Sequence, residues 1–169
     1  MGGKYGDRGR GMVKKHFTHI KKIFIVLLAV FILFDLFGDR TSKADINAVA
    51  DETAKAAGFD DMTRAENRMM KRFYGVNPKE YDGAVLYAPQ DNMDVHELFI
   101  VKLKDVSQQE TIERAIEERL DTQIKSFEGY GAEQVALLQK HVLEVKGNYV
   151  FYMVGENAQA ARKAFLNSL

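Results

Sequence analysis

The chain has 169 residues, 24 Lys and Arg against 24 Asp and Glu, 46% apolar residues and no cysteine. Without cysteine there is neither a disulfide nor a lipid-modified cysteine anchor, and this length suits one domain with its own core rather than several. The neutral total hides a polarity: residues 1–22 carry a net charge of +6, whereas from Gly38 onward 17 basic residues face 22 acidic ones.

The basic tail, 1–22, holds Lys4, Arg8, Arg10, Lys14, Lys15, Lys21 and Lys22 against Asp7 alone. Its glycines and lack of apolar period mark a disordered arm that fixes topology and touches anionic lipid, so nucleic acid is not an expected partner. The apolar segment follows. Its strictly apolar core, 23–34, is 12 residues long, short for a span of roughly 20 residues and close to a signal-peptide core. Leu36 and Phe37 prolong it beyond Asp35, and Ile20 prolongs it behind two lysines that snorkel. The stretch 20–37 then reaches about 27 Å as helix, near the ~30 Å of bilayer hydrocarbon. Flanking basic residues stay inside. Residues 23–37 are therefore expected to be a transmembrane signal anchor in the bilayer, with the tail cytoplasmic and the rest extracytoplasmic. Cleavage near Ser42-Lys43-Ala44 is the competing outcome.

After a short linker, 38–43, residues 44–169 form the expected folded domain. A helix over 44–57 has the stripe Ile46, Val49, Ala50, Ala54, with Ser42 as cap and Gly58 as stop. Thr63-Arg64-Ala65-Glu66 is a capping box opening a second helix, ended by Gly75. Strands are expected over 83–88 and 97–104, the Lys102/Lys104 alternation turning one face to water. Ser107 to Glu110 is a second capping box, opening the longest helix. That helix runs to Phe127, with Ile112, Ile116, Leu120, Ile124 and Phe127 buried and Glu113, Arg114, Glu117, Glu118, Arg119 and Asp121 on a solvated face. A helical turn over 133–139 leads to two alternating runs, 142–146 and 149–154. Gly147-Asn148 between them predicts a two-residue hairpin of type II′. A helix over 157–166 closes the chain.

The fold class expected is α+β: one N-terminal transmembrane helix, then an α-α-β-β-α-β-β-α domain. Its four-stranded sheet is mainly antiparallel, with helices on one face.

Three groups of residues bear on chemistry. Asp91, Asp94 and His96 in the turn 91–97 are the weak metal candidates, with capping of a turn as the plainer role. His141 lacks a nearby nucleophile. Tyr130, flanked by Gly129 and Gly131, would join Tyr149 and Tyr152 in an adhesive binding platform if all three were exposed; core packing is the other reading. No phosphate-binding loop, dinucleotide fingerprint or nucleophile elbow occurs, no catalytic residue stands out, and no cofactor is implied.

The stretches 94–102, 123–130 and 142–154 resemble a bacterial domain-of-unknown-function family, number four-three-five-eight, over about residues 44–169. The resemblance implies a small secreted lipoprotein or single-span membrane protein. This chain departs from it in lacking a lipid-acceptor cysteine, for which the apolar helix substitutes. No activity comes with the family, so none transfers. The combined expectation is a non-enzymatic binding or interaction module of the cell envelope, its partner an envelope protein or cell-wall glycan. The alternatives are an envelope hydrolase or metal-dependent enzyme using the turn 91–97, and an accessory subunit of a membrane complex.

Overall fold

The computed structural model describes residues 21–29, 41–89 and 91–169, and the chain divides into two compact units, Met1–Asp39 and Arg40–Leu169. In the first unit residues 21–29 form a helix, α1, with every residue exposed. Among the described residues no helix is long and apolar enough to cross a membrane. The expected span 23–37 continues past α1, and its residues 30–37 lie outside the described residues, as does most of the basic tail.

The second unit begins with α2 (Ile46–Ala57). Asp45 rather than Ser42 caps it, accepting from the backbone N–H of Asn47 at 2.9 Å and Ala48 at 3.0 Å, so two of the donors a helix start leaves bare are satisfied. Ser42 instead ties distant segments together. Its N–H donates to Asn148 Oδ1 (2.7 Å) and its hydroxyl to the Leu169 carbonyl (3.0 Å). Gly58, at φ 75°, stops α2 as expected.

The capping box expected at Thr63 to Glu66 does not form. Arg64 bridges Tyr87, and the Ala65 N–H donates to the Leu86 carbonyl at 2.7 Å. This stretch therefore lies extended along the outer edge of β1 (Gly83–Tyr87), and α3 (Asn67–Tyr74) starts only after it. An edge strand offers unpaired backbone groups, and the extended chain satisfies some that a helical turn would leave open. The second capping box is also displaced. Asp105 and Gln108 close it, around the short 3₁₀ turn Val106–Gln108, before α4 (Gln109–Phe127).

The remaining strands are β2 (Glu97–Lys102), β3 (Val142–Lys146) and β4 (Tyr149–Val154). They form one sheet in the order β1-β2-β4-β3, antiparallel throughout. The β3–β4 hairpin turns as expected: Gly147 has φ 58° and Asn148 does not share the positive φ, the type II′ pattern. Gly147→Val should therefore destabilise by about 1–3 kcal/mol, read as a lower urea midpoint for the whole chain. An unchanged midpoint would reject this turn geometry.

One expectation is corrected. Helices cover both faces of the sheet, not one. Every residue of β4 is buried, as are the first five of β2, so water reaches neither face of the central strands. On one face Leu98, Ile100, Phe151 and Met153 pack against α2 and α6 (Ala158–Asn167). On the other Phe99, Val101, Tyr152 and Val154 pack against α3, α4 and the short α5 (Ala132–Leu138). Strands buried on both sides read as continuous apolar runs, and Phe99-Ile100-Val101 and Tyr149 to Val154 are such runs. Lys102 owes its polarity to its place at the end of β2, where Nζ donates to the Ala44 carbonyl at 2.9 Å. Among the described residues the outer edge of β3 pairs with no other strand. Beside it Glu144 accepts from Arg162 Nε at 2.7 Å.

Candidate functional site

At the end of the sheet where β2 begins and β4 finishes, a charged residue sits inside the core. Glu97 opens β2 and is fully buried. Strand alternation puts it on the same face as Phe99 and Val101, under α3 and α4. A lone carboxylate there would be untenable, and two side chains answer it. Arg119 of α4 donates from Nη2 at 2.8 Å and from Nε at 3.4 Å. Tyr74 of α3 donates its hydroxyl to Glu97 Oε1. The Arg119 guanidinium also lies 4.0 Å from the centroid of the Phe73 ring, a cation–π contact. Tyr74 itself stacks on Phe99, centroids 4.2 Å apart. Burial first, then the Glu97 charge, pushes the Tyr74 hydroxyl well above its ordinary range. The same causes raise Tyr152, whose buried hydroxyl has no hydrogen-bonding partner among the described residues.

Arg119 also lines a cleft of about 200 Å³. One wall comes from α4 and the end of α3, with Arg72, Arg119, Thr122, Gln123 and Ser126; the other comes from the segment after β1, with Asp91, Asn92 and Asp94. Gln123 is only 6% exposed, and its Oε1 is unpartnered.

Asp94 belongs both to this cleft and to a more open groove of about 390 Å³ beside α5. There His96 is clamped between two carboxylates. Nδ1 lies 2.5 Å from Asp94 Oδ1 and Nε2 lies 2.7 Å from Glu156 Oε2. Both contacts are hydrogen bonds only when both ring nitrogens carry protons. Burial opposes the charged ring, but Glu156 and Asp94 outweigh it and raise the His96 pKa; the bond from His96 in turn lowers that of Glu156. Stability from a raised histidine is full below its unfolded pKa and is lost as pH rises through the folded one. Stability from a lowered carboxylate is full above its unfolded pKa and is lost as pH falls. The clamp should thus stabilise most between the ordinary values of 4.5 for glutamate and 6.5 for histidine. In thermal melts across pH, His96→Gln should cost on the order of 1 kcal/mol in that window and almost nothing at alkaline pH. An equal loss at every pH would show that the ring acts by packing alone.

The weak metal candidates do not assemble. Asp91 accepts from the Met93 N–H at 2.9 Å and takes no part in the clamp. Both His96 nitrogens face carboxylates, at 2.5 Å and 2.7 Å. Among the described residues no group of three or more His, Asp or Glu could hold an ion. The aromatic platform does not assemble on the surface either. Tyr130 is 68% exposed, whereas Tyr149 and Tyr152 are fully buried on opposite faces of the sheet. Tyr149 donates its hydroxyl to the Ala44 carbonyl at 2.7 Å. Glu97, expected at the end of the turn 91–97, and Arg119, expected on a solvated face, instead pair in the core, with Tyr74 beside them; Tyr74 and Gln123 carry no signal of their own in the sequence. The signal available was a charge in phase with an apolar strand face.

These features define a small α+β domain, a sheet between two helical layers with a charged cleft at one end. Residues 55–155 match the family described as Domain of unknown function (DUF4358); this is more than half of the chain, which belongs to that family. No curated protein and no solved structure matches the chain. The matched span holds the whole sheet and α3 to α5. It is narrower than the 44–169 expected from the resemblance, leaving out most of α2 and all of α6.

Proposed function

We propose that this chain is a single-span protein of the bacterial cell envelope whose outward-facing domain acts as a non-enzymatic binding or interaction module. The observation that carries the placement is the charge step: a net of +6 over residues 1–22 directly before an apolar segment, and an acidic excess after it. Positive flanks are retained on the cytoplasmic side. The binding role is supported by the cleft, which gathers fixed charges and hydrogen-bonding groups without pairing a nucleophile to a base. Both His96 ring nitrogens are engaged by carboxylates, and His141 Nδ1 is engaged by the Leu138 carbonyl at 2.9 Å.

The absence of cysteine permits a direct topology test. Gln159→Cys places one thiol on an exposed position of α6; Thr18→Cys places one in the basic tail. In intact spheroplasts an impermeant maleimide should label the first and reach the second only after lysis. The opposite pattern, or a full-length product soluble without detergent, would overturn this placement.

A further inference from the structure

The cleft at the sheet end is electrically divided. Arg72 and Arg119 stand on one wall, Asp91 and Asp94 on the other. No ion pair crosses between them among the described residues, although each wall has a charge to offer. Arg72 is exposed and has no hydrogen-bonding or ionic partner among those residues, and Asp91 is exposed with only the Met93 N–H on its carboxylate. Opposite charges that simply decorated a surface would be free to drift together or into water. Here Arg119 is built to stay put. Arg119 is fastened through Nε and Nη2 to the fully buried Glu97 and backed by the Phe73 ring. Its Nη1 has no hydrogen-bonding partner among the described residues. Burying a carboxylate to position an arginine costs stability that an apolar pair would not, and such arrangements mark sites where charge is needed at a fixed place.

Gln123 adds an independent sign. It lines the same wall, more than nine-tenths buried, with Oε1 lacking a donor. An unsatisfied buried acceptor is a second cost in stability accepted at this wall, beside the buried charge of Glu97. At about 200 Å³ the cleft is below the roughly 300–1,000 Å³ of pockets for drug-sized ligands, so its occupant has few heavy atoms. We propose that the cleft binds a small zwitterion of amino-acid size. Its carboxylate lies against Arg72 and Arg119, whose planar forks suit that geometry. Its ammonium lies against Asp91 and Asp94. This deepens the reading of the domain as a binding module and is independent of the membrane topology, which thiol labelling measures separately.

The test is calorimetric titration of the full chain in mild detergent with L-alanine, D-alanine, L-glutamate and L-lysine. Propionate, alaninamide and N-acetylglucosamine serve as the anionic, cationic and neutral arms. At least one amino acid should give saturable binding. For the alanine pair, propionate and alaninamide should bind about tenfold or more weakly, each having lost one charged contact. Arg72→Gln and Asp91→Asn alter exposed side chains that make no hydrogen bond or ion pair to another element among the described residues, so both variants should fold, each weakening the amino acid by a similar factor. Arg72→Gln should also erase the preference over alaninamide, and Asp91→Asn the preference over propionate. No saturable binding by any amino acid would overturn the proposal, as would N-acetylglucosamine binding in their place or variants that bind like the parent chain.

Discussion

Arg119→Met should destabilise the domain by about 3–5 kcal/mol, because it leaves a carboxylate in the core with its counter-charge removed. Glu97 is fully buried while the Arg119 side chain is 16% exposed, so the arginine links the inner charge to solvent. Without it, Glu97 keeps only the Tyr74 hydroxyl, which solvates an anion poorly on its own. Chemical denaturation of the full chain reads the loss as a lower midpoint. The double variant Glu97→Leu/Arg119→Met should recover most of the loss, since well-packed apolar replacements for a buried pair are often neutral or stabilising. A single-variant loss below about 1 kcal/mol would put Arg119 among the surface ion pairs, and would remove the basis for treating it as a fixed binding group.

Phe151→Ala should cost a similar amount, about 3–5 kcal/mol, by an unrelated route. Phe151 is fully buried at the middle of β4, opposite Ile100 of β2 and Glu144 of β3. Its ring stacks on Phe165 of α6, centroids 5.0 Å apart and 24° between planes. Truncation opens a cavity between the sheet and α6 that neither neighbouring strand can close without breaking ladder bonds. Phe165→Ala removes the other half of the stack, so the two losses should not add; a double-mutant cycle measures the coupling. Tyr130→Ala, at a 68% exposed ring, should stay within about 0.5 kcal/mol. Equal losses at Tyr130 and Phe151 would contradict the burial pattern.

Much of this fold was readable because periodicity and turn chemistry agree. The stop at Gly58, the Gly147-Asn148 turn and the long helix ending at Phe127 each combine a local signal with an apolar stripe. The failures share a different cause: each depends on what packs from a distance. Thr63 to Glu66 satisfies a capping pattern, yet the bare edge of β1 competes for the same backbone groups and wins. The single-faced sheet was inferred from Lys102 and Lys104, which report the end of a strand and not its middle. In α4 the stripe can be drawn through Leu120 and Ile124, but the most deeply buried positions are Ile112, Ile116, Gln123 and Phe127. That line passes through Arg119, three residues after Ile116 and four before Gln123. Glu97 was equally exposed to reason, falling two and four residues before Phe99 and Val101. Either misfit alone is ambiguous. Together, a negative charge on an apolar strand face and a positive one on an apolar helix face form a pair, which pattern reading of each element separately does not bring together.

The two borders of the sheet have unequal prospects. At its Tyr87 end the β1 side is met by the chain's own segment through Arg64 and Ala65, while the β3 side pairs with no further strand among the described residues. Lateral joining of sheets in series needs two vacant borders on every molecule, one to receive and one to offer. The short segment 64–65 thereby obstructs one of the two borders that such runaway assembly would use.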